Sequence, residues 1–188
     1  RKSLDVCREV LGEKHPSTAL SYNNLAGFYA SIGDYAKSEP LYKKALVIFK
    51  ELLGESHPST FAIYANLGFL CLQKGDIAQA MAIFRKQDIP AGLGRCHLAK
   101  KKYTEARKEF SRSLSWDEES GELEIIIGDC VGLGLALEGL GDYKAAKGHF
   151  QRAISIIESQ RGQLSGNARG TFMGGNVGAG FSRMDAYE

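Results

Sequence analysis

The stretch Leu11-Gly-Glu-Lys-His-Pro-Ser-Thr18 returns as Leu53-Gly-Glu-Ser-His-Pro-Ser-Thr60, so that His15 recurs as His57, 42 residues on. A phrase recurring at an interval of roughly 20 to 50 residues marks stacked supersecondary units, none of which buries its apolar face alone. The work of such a chain is expected on a surface built from successive units, not in a pocket of catalytic groups. Between the two phrases, apolar residues keep helical spacing through Leu20, Leu25, Phe28 and Tyr29 and stop at Gly33-Asp34. They resume through Tyr35, Leu41, Tyr42, Ala45, Leu46 and Phe49. The pattern predicts two helices joined by a tight turn. Ser17 and Thr18, after Pro16, are expected to supply N-cap oxygens, and Gly33 the permissive backbone that ends the first helix. The next unit has the same parts: Tyr64, Leu67 and Gly68, then Gly75-Asp76, then Ile77, Ala80 and Phe84.

These hairpins resemble the tetratricopeptide repeat, with its large residue, Leu-Gly/Ala, aromatic, Gly-Asp-Tyr turn, and small and aromatic positions on the second helix. The first full copy reads Tyr22, Leu25, Ala26, Tyr29, Gly33, Tyr35, Ser38, Tyr42 and Ala45; the second reads Tyr64, Leu67, Gly68, Cys71, Gly75, Ile77, Ala80, Phe84 and Gln87. The third offers Leu93, Gly94, His97, Tyr103, Ala106 and Phe110; the fourth offers Cys130, Leu133, Gly134, Leu137, Gly141, Tyr143, Ala146, Phe150 and Ala153. The resemblance implies an all-α, right-handed superhelix of hairpins, an α-solenoid. The array is expected over 1–160, as a partial repeat at 1–14 and repeats near 17–54, 59–87, 88–116 and 121–160. Ala26, Gly68, Gly94 and Gly134 are expected to let paired helices approach closely. The third copy is abbreviated, with Asp88 read as its N-cap and Pro90 as an early helical position.

The 42-residue period is similar to the long repeat subtype of kinesin light chains and of many bacterial signalling proteins. The short third copy, together with Arg169 to Phe172 and Gly180-Phe-Ser-Arg-Met-Asp-Ala-Tyr187, resembles bacterial proteins in which such repeats precede a caspase-like CHAT peptidase domain. That resemblance implies a regulatory or substrate-docking part of a peptidase whose catalytic domain would lie beyond residue 188. Residues 161–188 read as a glycine-rich helical capping segment and linker: Gly162, Gly166, Gly170 and Gly174 share one helical face, and Leu164 and Phe172 are expected to dock on the last hairpin.

Composition narrows the function classes. With 24 basic and 22 acidic residues the formal charge is +2, without the clustered basic excess of a nucleic-acid surface. No apolar run approaches the roughly 18 residues that span a bilayer, and no signal peptide opens the chain; a cytoplasmic setting without membrane contact is expected. Cys7, Cys71, Cys96 and Cys130 lack CxxC spacing and fall in apolar helical patterns, so reduced core thiols are expected. His15, His57, His97 and His149 show no metal-ligand spacing, and no GxSxG elbow appears; no metal, cofactor or enzymatic activity is expected of these residues. Gly132-Leu-Gly-Leu-Ala-Leu-Glu-Gly139 and Gly174-Gly-Asn-Val-Gly-Ala-Gly180 look like dinucleotide loops only superficially, because neither follows a strand.

The resemblance implies a concave groove lined by first helices that binds a protein or peptide. Asn24 and Asn66 are expected to hold a peptide main chain, since a carboxamide both donates and accepts, or alternatively to bond a neighbouring helix. Asn23, Ser31, Phe69, Gln73 and Arg95 are expected on the same wall. Ala65, Ala91 and Val131 leave Arg95 as its one cation, which disfavours capture of a terminal carboxylate. Lys100 to Lys102 read as complements of a helix C-terminus, and Asp117, Glu118, Glu119, Glu122 and Glu124 as complements of the next N-terminus. Trp116 is expected to pack beneath that loop. The chain as a whole reads as a scaffold or sensor module; self-association through exposed terminal hairpin faces is a further reading.

Overall fold

The structure, a computed structural model, describes residues 2–167. Every regular element among them is a helix: α1 (Lys2–Leu11), α2 (Pro16–Ser31), α3 (Tyr35–Leu53), α4 (Pro58–Gln73), α5 (Ile77–Lys86), α6 (Pro90–Ala99), α7 (Tyr103–Ser120), α8 (Leu123–Gly139) and α9 (Tyr143–Asn167). These residues form two compact units, one ending at Ile83 and the other beginning at Phe84. The glycine-rich tail beyond Asn167, with its expected docking of Phe172, lies outside the described residues.

The repeated phrase builds the corner that starts each first helix of unit one. Gly12 and Gly54 turn the chain at φ of 85° and 88°, a region costly for residues with a Cβ. Their carbonyls accept from Thr18 Oγ1 and Thr60 Oγ1, each at 2.8 Å. Glu13 accepts from the Tyr22 hydroxyl at 2.5 Å, and Glu55 from that of Tyr64 at 2.9 Å. The expectation that Ser17 and Thr18 cap α2 is corrected here. A residue before proline is driven to extended backbone, which is the N-cap conformation, so His15 and His57 occupy that position. Each imidazole Nδ1 accepts from the backbone N–H two residues on, at 3.1 Å. Proline follows at the first helical position, where its missing N–H costs nothing.

The hairpin turns share one design. Gly33, Gly75 and Gly141 take φ of 77°, 82° and 82°, and Asp34, Asp76 and Asp142 then accept from the N–H three residues on. In the third hairpin Lys101 takes this left-handed place at φ 55°. The third copy starts without a side-chain cap, which corrects the reading of Asp88. Asp88 sits at φ 51° in the turn after α5 and Ile89 becomes the N-cap of α6. The Asp88 carboxylate instead accepts from Arg112 at 2.9 Å.

Unit one gathers Tyr22, Ala26, Tyr42, Ala45, Ile48, Phe49, Ile63, Leu67 and Leu70 in one core. Unit two gathers Ala106, Phe110, Leu114, Ile126, Cys130, Leu133 and Ala153. Its first helices are shaped by glycine pairs. A Cβ on Gly92 would stand 2.4 Å from the Phe84 ring, and one on Gly94 would stand 2.8 Å from Phe110. Gly132 and Gly134 repeat the arrangement, 2.4 Å from Phe110 and 2.4 Å from Phe150. The run Gly132 to Gly139 is therefore a helix face that seats aromatic rings, not a nucleotide loop.

Two further expectations are corrected. Asp117, Glu118 and Glu119 close α7 rather than open α8, because the helix continues until Gly121 turns left-handed at φ 73°. Trp116 does not pack beneath the loop; it is exposed, with the Arg112 guanidinium 5.6 Å from its ring centre. The cysteines are free, with Cys71, Cys96 and Cys130 buried and Cys7 half-buried.

Replacing Gly132 by alanine is expected to destabilise unit two by about 1–3 kcal/mol, because the Phe110 ring cannot withdraw from a filled core. Gly148→Ala, where a Cβ in α9 meets nothing, is expected to stabilise by about 0.5–1 kcal/mol. Urea unfolding of both variants measures the contrast.

Candidate functional site

The first-helix positions singled out by sequence are divided between the two units. In unit one, α2 carries Asn23, Asn24 and Ser31, and α4 carries Asn66, Phe69 and Gln73. Asn66 Nδ2 donates to Asn23 Oδ1 across the two helices at 2.9 Å, and Asn23 Nδ2 donates to Asn24 Oδ1 at 3.3 Å. Repeat position makes Asn24 and Asn66 equivalent, yet the interhelical bond pairs Asn66 with Asn23. A helix meets its two neighbours with different edges, so the bond joins non-equivalent positions. Each carboxamide has two N–H donors and two carbonyl lone pairs, and these two bonds leave capacity for a main-chain group.

The rest of this surface is mixed. Ser31 Oγ donates back to Phe28 O at 2.8 Å, so its proton is engaged within its own helix. Phe69 is half-buried and Gln73 exposed, at helical spacing from Asn66. Behind the surface, Glu39 on α3 accepts from Lys43 at 2.7 Å and from Lys74, the residue ending α4, at 2.6 Å. Those two ammonium groups pull the Glu39 carboxyl down to about 2.

In unit two, Arg95 stands exposed on α6, and its Nη2 lies 3.5 Å from where a Cβ on Gly128 of α8 would be. Val131 is half-buried and Leu135 exposed along α8. Beside them lies a feature the sequence reading missed, Asp129, which is 1% exposed. Its signal was present, as a lone carboxylate within Ile125-Ile-Ile-Gly-Asp-Cys-Val131. Burial pushes its carboxyl up to about 8, and contact with Asp117 acts in the same direction.

Among the described residues, no group of three or more His, Cys, Asp or Glu side chains could hold a metal ion. His97 has its Nδ1 buried without a hydrogen-bond partner, and burial lowers its pKa. Burial raises the Cys96 thiol to about 11, which disfavours a nucleophilic thiolate. A recess of about 290 Å³ on α8 and α9 is lined mainly by apolar groups of Tyr143, Phe150 and Ile154. None of the helices is long and apolar enough to cross a membrane.

Comparison with protein families identifies the hairpins. The tetratricopeptide repeat matches residues 19–86 in one form, and residues 91–120 and 130–160 in another. The chain belongs to the tetratricopeptide repeat family. No curated protein matches it. Among solved structures, it is similar to the kinesin light chain assigned in Podosopora anserina, with nearly identical TPR-like repeats. A single-substitution variant of that protein superposes with TM-score 0.59 at 18% identity, covering 84% of each chain. The unsubstituted form gives 0.57 at 17% identity, covering 88% of this chain and 84% of that one. At such identity the likeness concerns the fold. Tetratricopeptide repeats generally mediate protein–protein interaction, and the fold is typically non-catalytic.

Within this repeat fold the Asn23–Asn66 bond has a measurable part. Asn66→Ala is expected to lower the stability of unit one by about 1 kcal/mol, the net worth of one hydrogen bond. Asn24→Ala, at an exposed acceptor, is expected to change it by a few tenths at most. Thermal denaturation of the two variants separates them.

Proposed function

We propose that this chain is a non-catalytic scaffold or sensor module that holds a protein or peptide segment against its first-helix surfaces. The observation that carries the reading is the amide series Asn24, Asn23 and Asn66, held in place across α2 and α4 and bordered by Phe69 and Gln73. Prepositioned carboxamides recognise main chain without demanding a particular side chain, and Phe69 adds an apolar contact. On unit two, Arg95 with Val131 and Leu135 offers an apolar surface beside a cation, suited to a segment mixing apolar and acidic residues. A displayed peptide library selected against the chain is expected to yield ligands whose affinity falls about tenfold in Asn24→Ala, roughly the worth of one well-made hydrogen bond. Selected ligands that bind Asn24→Ala and Asn66→Ala unchanged would overturn the amide role.

A second reading, self-association, is favoured by two exposed apolar residues at one edge of unit one. Val6 on α1 is 57% exposed and Phe28 on α2 is 53% exposed. The equivalent residues 42 positions later, Ile48 and Leu70, are 5% and 2% exposed in the core that α2, α3 and α4 share. An apolar edge of this kind can pair with a second copy through a two-fold contact. Sedimentation across a range of concentrations is expected to show a dimer that Phe28→Asp abolishes; a monomer throughout would dispose of this reading.

A further inference from the structure

The internal repeats allow one core site to be compared with itself. In unit one, Ala45 and Phe49 on α3 and Ile63 on α4 belong to one buried apolar cluster. Aligned on Tyr35 and Tyr103, and on Leu67 and Leu133, the same three places in unit two hold Ser113, Asp117 and Asp129. An apolar trio has become a hydroxyl and two carboxyls. Asp129 is 1% exposed and Ser113 is 5% exposed, so these groups occupy core positions and do not merely border them.

Their bonding depends on a proton. Ser113 Oγ donates to Asp117 Oδ2 at 3.2 Å, and both side chains act on Asp129: the Asp117 carboxyl favours its neutral form and the Ser113 hydroxyl its charged form. Two ionised carboxylates only accept, so the two can bond to each other only when one of them carries a proton. Asp129 Oδ2 has no partner among the described residues. A negative charge placed there would be desolvated beside a second carboxylate. The other helices packed on α8 offer limited relief. Arg95 on α6 favours the charged form of Asp129, and Arg152 on α9 is paired with Glu118 at 2.6 Å.

We propose that Ser113, Asp117 and Asp129 form a proton-operated latch, in which a shared proton closes the last turn of α7 onto α8 and its release to solvent loosens that corner. The pair sits beside the connection between the helices, where Gly121 N donates to Asp117 O at 2.9 Å. Charge repulsion there acts on the last turn of α7, next to its C-cap Gly121. Burial, then contact with Asp117, pushes the Asp129 carboxyl up to about 8, against about 3.9 for an unfolded aspartate. The folded form therefore binds the extra proton over that interval. The latch's contribution to stability is complete below about pH 4 and is lost as pH rises through about 8.

The chain's single tryptophan, Trp116, adjoins Asp117 and reports on this corner. Its emission, with Tm, would be followed from about pH 5 to about pH 9 in the unaltered chain and in Asp129→Asn and Asp129→Ile. The unaltered chain is expected to show a transition in emission and a falling Tm across that range. Asp129→Asn, whose amide donates at every pH, is expected to lack both; Asp129→Ile, which restores the residue type of Ile63, is expected to lack both and to melt higher at alkaline pH. A flat titration of the unaltered chain overturns the proposal. So does a transition that survives in either variant that folds, because it would belong to another group such as His97.

Discussion

A helix can lie in direct backbone contact with an aromatic ring where its own surface has been cut away to the backbone. Phe84, Phe110 and Phe150 each press a ring onto a glycine of a first helix, and Phe110 does so twice, on Gly94 of its own hairpin and on Gly132 of the next. Each ring thereby sets the distance between helices that side chains would otherwise hold apart. The glycines carry a cost in helix propensity of about 0.8–1 kcal/mol each, which close packing offsets. In unit one Ala26 serves in their place, with its carbonyl accepting from the buried Ser38 hydroxyl at 2.8 Å.

The doubled corner of unit one complements this packing by fixing where each first helix begins. Five of the residue types in Gly-Glu-x-His-Pro-Ser-Thr have a side-chain or backbone part: glycine makes a left-handed turn, glutamate accepts from tyrosine, histidine caps, proline presets φ, and the threonine hydroxyl ties the helix back to the turn. The third copy lacks the phrase, and its first helix α6 is ten residues long with no side-chain cap. Leu93, Gly94 and Cys96 are buried, and Gly94 lies under the Phe110 ring of α7, so tertiary packing substitutes for the missing local signals.

The hairpins, their turns and the short third copy were legible in the sequence because helical period, Gly-Asp turns and repetition are local signals. The cap was misread because serine and threonine are the commoner cap residues, whereas the constraint here came from proline acting on the histidine before it. The acidic run after Trp116 suits a helix N-terminus by charge, yet it closes α7, because the left-handed turn at Gly121 decides the boundary and a helix-dipole mismatch on exposed side chains costs little. The pairing of Asn23 with Asn66 was not legible, since repeat equivalence names matching positions and neighbours meet through unmatched ones. Asp129 was overlooked among apolar residues, where its isolation was itself the signal.

The amide bond between α2 and α4 also limits how far these repeats are interchangeable. Asn66 reaches back to Asn23, while the place of Asn66 in the later copies is taken by Gly92 and Gly132, which lie under phenylalanine rings. A first helix moved from the later pair to follow α3 would leave Asn23 unanswered. One moved the other way would drive an asparagine into an aromatic ring. Recombination between copies of this gene could therefore exchange repeats within a pair more readily than between pairs, and the period seen in the sequence overstates the freedom to shuffle it.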